Sequence, residues 1–129
     1  MKEALGHKKV VVLATTPDQG LLVTALLTEE CDYQLLQQDA VKKVGTTTVQ
    51  NILKQTAGIQ VRVADIKFLH VDEENNIVVY GVEFNSIMLL RIPPSPTLTV
   101  LWKERLGSGG ITLSWDDREI LRAYLPSML

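Results

Sequence analysis

The sequence predicts one α/β domain, in the α+β sense of strands covered by helices, and three observations predict it. Apolar residues make up 46% of the chain and aromatic ones only 5%, so the core must be built mainly from Val, Leu and Ile. Short β-branched runs recur between polar turns, which is the pattern of strands. One segment, Thr46 to Ala57, has helical periodicity and is closed by a glycine. At 129 residues the chain fits a single domain, 1–129, large enough to bury a core.

Lys8 to Ala14 and Leu21 to Leu27 are the first two apolar runs. Between them Thr15-Thr16-Pro17-Asp18-Gln19-Gly20 supplies a proline for the turn corner and a glycine for positive φ, so a hairpin is expected. Thr28 to Gly45 is polar and reads as an irregular connection with one short strand near Tyr33 to Leu36. In the helix, Val49, Ile52, Leu53 and Thr56 fall at i, i+3, i+4 and i+7. Thr46 to Thr48 offer caps at its start, and Gly58 sits where a left-handed residue ends a helix.

Ile59 to Val71 alternates imperfectly, Asp72 to Asn76 is a polar turn, and Ile77 to Phe84 alternates again, so a long hairpin is expected. An apolar stretch from Ile87 to Ile92 runs into Pro93-Pro94-Ser95-Pro96, an extended exposed loop. Leu98 to Trp102 reads as another strand, Gly107 to Gly110 as a loop, and Ile111 to Trp115 as a short extended piece. Ser114 or Asp116 can cap a last helix that carries Ile120, Leu121, Tyr124 and Leu125 on one side and stops at Pro126.

Composition excludes several functions. With a formal charge of -2, no global positive field gathers nucleic acid. Cys31 is the single cysteine and His7 and His70 lie far apart, so neither a disulfide nor a Cys/His zinc site is expected. The apolar run after Lys8-Lys9 is too short for a signal peptide or a membrane span, which makes the cytoplasm the expected location.

The segment Val49-Gln50-Asn51-Ile52-Leu53-Lys54-Gln55-Thr56-Ala57-Gly58-Ile59-Gln60-Val61, together with the tail from Leu113-Ser114-Trp115-Asp116-Asp117 to Leu125, resembles the Nudix hydrolase family. The likeness covers Lys8 to Leu125 at the level of pattern. It implies an α/β/α sandwich with a mixed sheet, one helix at the place of the family signature and a second at the C-terminus. That signature, G-x5-E-x7-R-E-U-x-E-E-x-G-U with U aliphatic, gathers divalent metal ions over a pyrophosphate through its glutamates. Aligned on Gly58 and Ile59, its paired glutamates fall on Gln55 and Thr56, its Arg-Glu pair on Asn51 and Ile52, its upstream Glu on Lys43 and its first Gly on Gln37. The packing residues Leu53, Gly58 and Ile59 survive; every carboxylate is replaced.

The resemblance therefore implies a degenerate, non-catalytic member: no metal, no cofactor, and a role in binding a nucleotide-type small molecule or a protein partner. Homodimers, common in the family, are an additional expectation. For an anionic ligand the candidate residues are Lys42, Lys43 and Lys54, whose ammonium groups would stand in for metal ions, with Trp102 to stack on a base. The competing reading makes the lysines solvated and gives Trp102 and Trp115 to the core. The alternative function is a divalent-metal-dependent nucleoside diphosphate hydrolase whose acids are relocated to Asp72–Glu74 or Asp116–Glu119. Against it, the first group reads as a soluble turn and the second as helix-start acids that the dipole stabilises. His70 lacks a Ser or Cys partner by spacing, and Cys31 reads as an inert thiol. RNA binding, known for some degenerate members, is opposed by the acidic balance.

Overall fold

The computed structural model describes residues 8–17, 19–25, 32–40, 45–72, 74, 76–93, 97–102 and 113–125. Six strands form one mixed sheet: β1 (Lys8–Thr15), β2 (Gly20–Ala25), β3 (Tyr33–Ala40), β4 (Ile66–Asp72), β5 (Ile77–Glu83) and β6 (Leu98–Trp102). Their spatial order is β4-β5-β1-β3-β2-β6. Three helices accompany them: α1 (Thr46–Ala57), α2 (Ser86–Leu90) and α3 (Trp115–Tyr124).

β1 explains the architecture. Its residues Val10 to Ala14 are each no more than 2% exposed, because both faces of the strand are covered. Val10, Val12 and Ala14 point into a core shared with α1, while Val11 and Leu13 point into a second core shared with α3. The unbroken apolar run in the sequence is the signature of that double burial. β1 pairs in parallel with β5, from Lys9 opposite Ile77 to Thr15 opposite Glu83, and this one parallel pairing makes the sheet mixed. The result is an α/β/α sandwich.

The first hairpin forms but opens almost at once. β1 and β2 pair only at Thr15 and Leu21. β3 then enters between them: residues 33–35 pair with β2 and residues 36–40 with β1, both antiparallel. Three mutually antiparallel strands cannot lie in one flat sheet, so the sheet bends here. The expected short strand at Tyr33 to Leu36 is thus an eight-residue strand, longer because it serves two partners in succession. Gln19, not Gly20, takes the positive φ in the turn, at 62°. Gly20 is required for space: a Cβ there would lie 2.7 Å from Thr16 Oγ1 and from Val100 Cγ1.

α1 follows its periodicity, with Val49, Ile52, Leu53 and Ala57 buried. The expected threonine caps are not made; Gly45 holds the N-cap position without a side-chain bond. Gly58 ends the helix at φ 65°, its N–H donating to the Lys54 carbonyl at 3.1 Å. A Cβ on Gly58 would also meet the Pro93 ring at 2.9 Å. The strand expected from Ile59 begins only at Ile66, because Val63–Asp65 turn as a 3-10 helix. The Gln50 side chain donates to the Val61 carbonyl at 2.9 Å and holds that segment against α1.

β4 and β5 form the expected hairpin, with a bulge between Phe68 and His70. Ile87 to Ile92 is mostly the short helix α2, capped by the Asn85 side chain accepting from the Met88 N–H at 2.8 Å. Met88, Leu89 and Ile92 pack on the α1 side of the sheet, whereas Ile87 and Leu90 are exposed. The expectations for Cys31, His7, Glu73, Pro94 to Pro96, Gly107 to Gly110 and Ile111 fall outside the described residues.

Candidate functional site

α1 is where chemistry is to be sought, and its sequence Thr-Thr-Thr-Val-Gln-Asn-Ile-Leu-Lys-Gln-Thr-Ala contains no acid. Ile52 is 1% exposed and locked into the α1-side core. Thr56 is half-buried and spends its hydroxyl on the Ile52 carbonyl one turn back, at 2.6 Å. Gln55 and Asn51 are exposed. This surface can donate and accept neutral hydrogen bonds; it offers no anionic oxygen to a hard cation. Among the described residues no group of three or more His, Cys, Asp or Glu side chains is placed to hold a metal ion.

The other face is more eventful. α3 starts at Ser114, whose Oγ accepts from the Asp117 N–H at 3.1 Å, as expected of that cap. Asp117 is only 4% exposed. Its carboxylate accepts from the buried Leu35 N–H at 3.1 Å and from Gln37 Nε2 at 3.4 Å, tying the first turn of α3 to β3. Burial raises its pKa above the usual carboxylate value, and the bonds from Leu35 and Gln37 oppose that rise. A group so committed is a structural anchor.

Two open grooves flank the outer side of α3. One, of about 300 Å³, lies between α3 and the β4–β5 hairpin; Trp115, Asp116, Glu119, Ile77 and His70 line it. The other, of about 400 Å³, lies towards the far end of the helix, with Leu13, Lys67, Glu83 and Leu125. Tyr124 lines both. Its ring stands 5.9 Å from that of His70, tilted by 44°. Trp115 is 72% exposed, so the core-filling role expected of it is wrong. Helical spacing explains why: Asp117, Ile120, Leu121 and Tyr124 share the inward stripe, and Trp115 lies off it with Glu119 and Arg122.

Neither a protein-family model nor a curated protein sequence matches this chain. Solved structures do. A protein from Sinorhizobium meliloti 1021, provisionally described as an oxidoreductase, superposes with a TM-score of 0.64 at 11% identity, over 98% of this chain and 41% of that one. This chain therefore spans less than half of that protein. The C-terminal domain of mouse MUTYH, solved in complex with human PCNA, superposes with a TM-score of 0.64 at 11% identity, over 92% of this chain and 86% of that one. The second is a Nudix-fold domain. The fold is Nudix-like. At 11% identity the likeness concerns the fold and nothing finer.

In this Nudix-like frame the sequence-derived ligand residues are not brought together. Lys42 and Lys43 lie outside the described residues. Lys54 is exposed in the last turn of α1, where a cation suits the helix dipole. Trp102 is 39% exposed at the end of β6, over Gly20, and so is not core filling either. Neither Lys54 nor Trp102 lines the two grooves beside α3. No helix among the described residues is long and apolar enough to cross a membrane.

Proposed function

We propose that this chain is a non-catalytic Nudix-like domain that binds a protein partner. The observation that carries the reading is Ile52: where the family signature places a metal-binding glutamate, this chain has an alkyl side chain sealed in the core. Its neighbours on the same helix, Gln55 and Thr56, are neutral. Hydrolysis of a diphosphate by this scaffold needs metal ions to neutralise charge and activate water. The packing frame has been kept while those ligands are gone.

A protein is favoured over a small anion by the surface. Trp115 is 72% exposed, and tryptophan is among the usual anchors of protein interfaces. The MUTYH domain of similar fold was solved with a protein bound, which makes such a use of the scaffold reasonable.

The test is release of phosphate or nucleoside monophosphate from a panel of nucleoside diphosphate derivatives with Mg²⁺ and Mn²⁺. No turnover is expected. Turnover abolished by EDTA would overturn the reading and direct attention to Asp72–Glu74 and Asp116–Glu119. The nucleotide-type ligand suggested by Lys42, Lys43, Lys54 and Trp102 is tested separately, by calorimetric titration with ADP-ribose; heat lost on Lys54→Ala would favour it over a protein.

A further inference from the structure

We infer that the groove between α3 and the β4–β5 hairpin takes a basic segment of the partner, with one arginine or lysine side chain seated against the indole of Trp115. The inference rests on the proposed binding role and names the chemistry of its partner. Trp115 stands 72% exposed as one wall, an unusual cost for a tryptophan that nothing in the cores explains. Ile77 and the aromatic pair His70 and Tyr124 provide an apolar floor and far wall. On the near rim are two carboxylates of the same helix, Asp116 and Glu119.

An apolar floor alone would accept any hydrophobic side chain. The acidic rim selects. A guanidinium can stack flat on an indole while its edge donates to a carboxylate, and its methylenes cover the apolar floor. Glu119 already accepts from Arg122 one turn along, so Asp116 carries the larger share of the attraction. Among the described residues that line the groove none is a lysine or arginine, so the acids on its rim favour a cationic side chain over an anionic one.

Hexa-arginine, with hexa-citrulline as its uncharged counterpart, is the probe, and binding is followed by backbone amide NMR shifts. Hexa-arginine is expected to bind and hexa-citrulline much less, with shifts concentrated at His70, Ile77 and residues 115–124. Trp115→Ala is expected to weaken binding about fivefold, the loss of one exposed cation–π contact. Asp116→Asn should weaken it by a factor of about 2–5, and raising the salt should do the same. Glu83→Gln, six residues along β5 from Ile77 and thus about 20 Å away, should leave it unchanged.

Absence of binding at millimolar peptide overturns the assignment. So does binding that ignores Trp115→Ala, or that Glu83→Gln weakens as much as Asp116→Asn does. Trp115 and Asp116 are exposed, so both variants should fold, and a circular dichroism spectrum verifies it. Failure here would leave the non-catalytic reading standing, since only metal-dependent turnover sinks that one.

Discussion

Asp117 offers the sharpest test of how α3 is held. Replacing it by Ala removes the acceptor for the Leu35 N–H, which is then left buried with no partner, and withdraws a negative charge from the first turn of the helix. An orphaned buried donor costs about 1–3 kcal/mol, and the charge at the helix start about 0.3–1 kcal/mol. A loss of about 1–4 kcal/mol is expected, which for a chain of this size lowers Tm by roughly 3–5 °C per kcal/mol. Asp117→Asn keeps an acceptor of the same shape and should lose clearly less. Urea unfolding followed by circular dichroism measures both.

The pH dependence separates the carboxylate from its shape. Burial raises the folded-state pKa of Asp117 above its unfolded value of about 3.8, so in that interval the folded chain binds more protons than the unfolded one. Stability owed to this group therefore falls as pH rises from 3.8 through the folded pKa, and is constant above it. Asn does not titrate. The stability difference between the parent and Asp117→Asn should thus widen in the parent's favour as pH is lowered from 7 towards 4. A difference that stays flat or narrows on acidification would refute the account of Asp117 as a desolvated carboxylate. An Ala variant as stable as the parent would refute its role as the clasp between α3 and β3.

Other outcomes follow from the same geometry. Ile52→Glu, which restores the signature residue, should cost at least about 4 kcal/mol because a carboxylate enters an apolar core; near-UV circular dichroism should show loss of packing, whereas Asn51→Glu on the exposed face should change stability by under about 0.5 kcal/mol. Gly58→Ala should lose about 1–3 kcal/mol in urea unfolding, since position 58 has φ 65° and the new methyl group meets Pro93. Leu53→Ala, at a fully buried site, should lose about 2–5 kcal/mol by the same measurement. Ser114→Ala should lose about 1 kcal/mol through the missing cap bond to the Asp117 N–H.

Local patterns carried much of this in advance. The spacing of Val49, Ile52 and Leu53 determined α1 and its buried stripe, Gly58 determined where it ends, and the run Lys8 to Ala14 determined a strand, whose burial on both faces the structure added. α3 was legible too, and its spacing already set Asp117 inward and Trp115 outward, although the residue types alone argued the reverse. These are properties of 3.6- and 2-residue periods, which act between near neighbours and so are written in the chain.

Contacts between distant segments were decided by the tertiary structure. The insertion of β3 between β1 and β2, the parallel pairing of β1 with β5, and the bond from the Leu35 N–H to Asp117 across 82 residues all depend on which edges and donors are left unsatisfied once the cores close. The same holds for the groove of Trp115, whose far wall comes from a hairpin some 40 positions earlier. A backbone donor seeks any acceptor within about 3 Å, whatever its position in the chain, and only the folded sheet says which one is there.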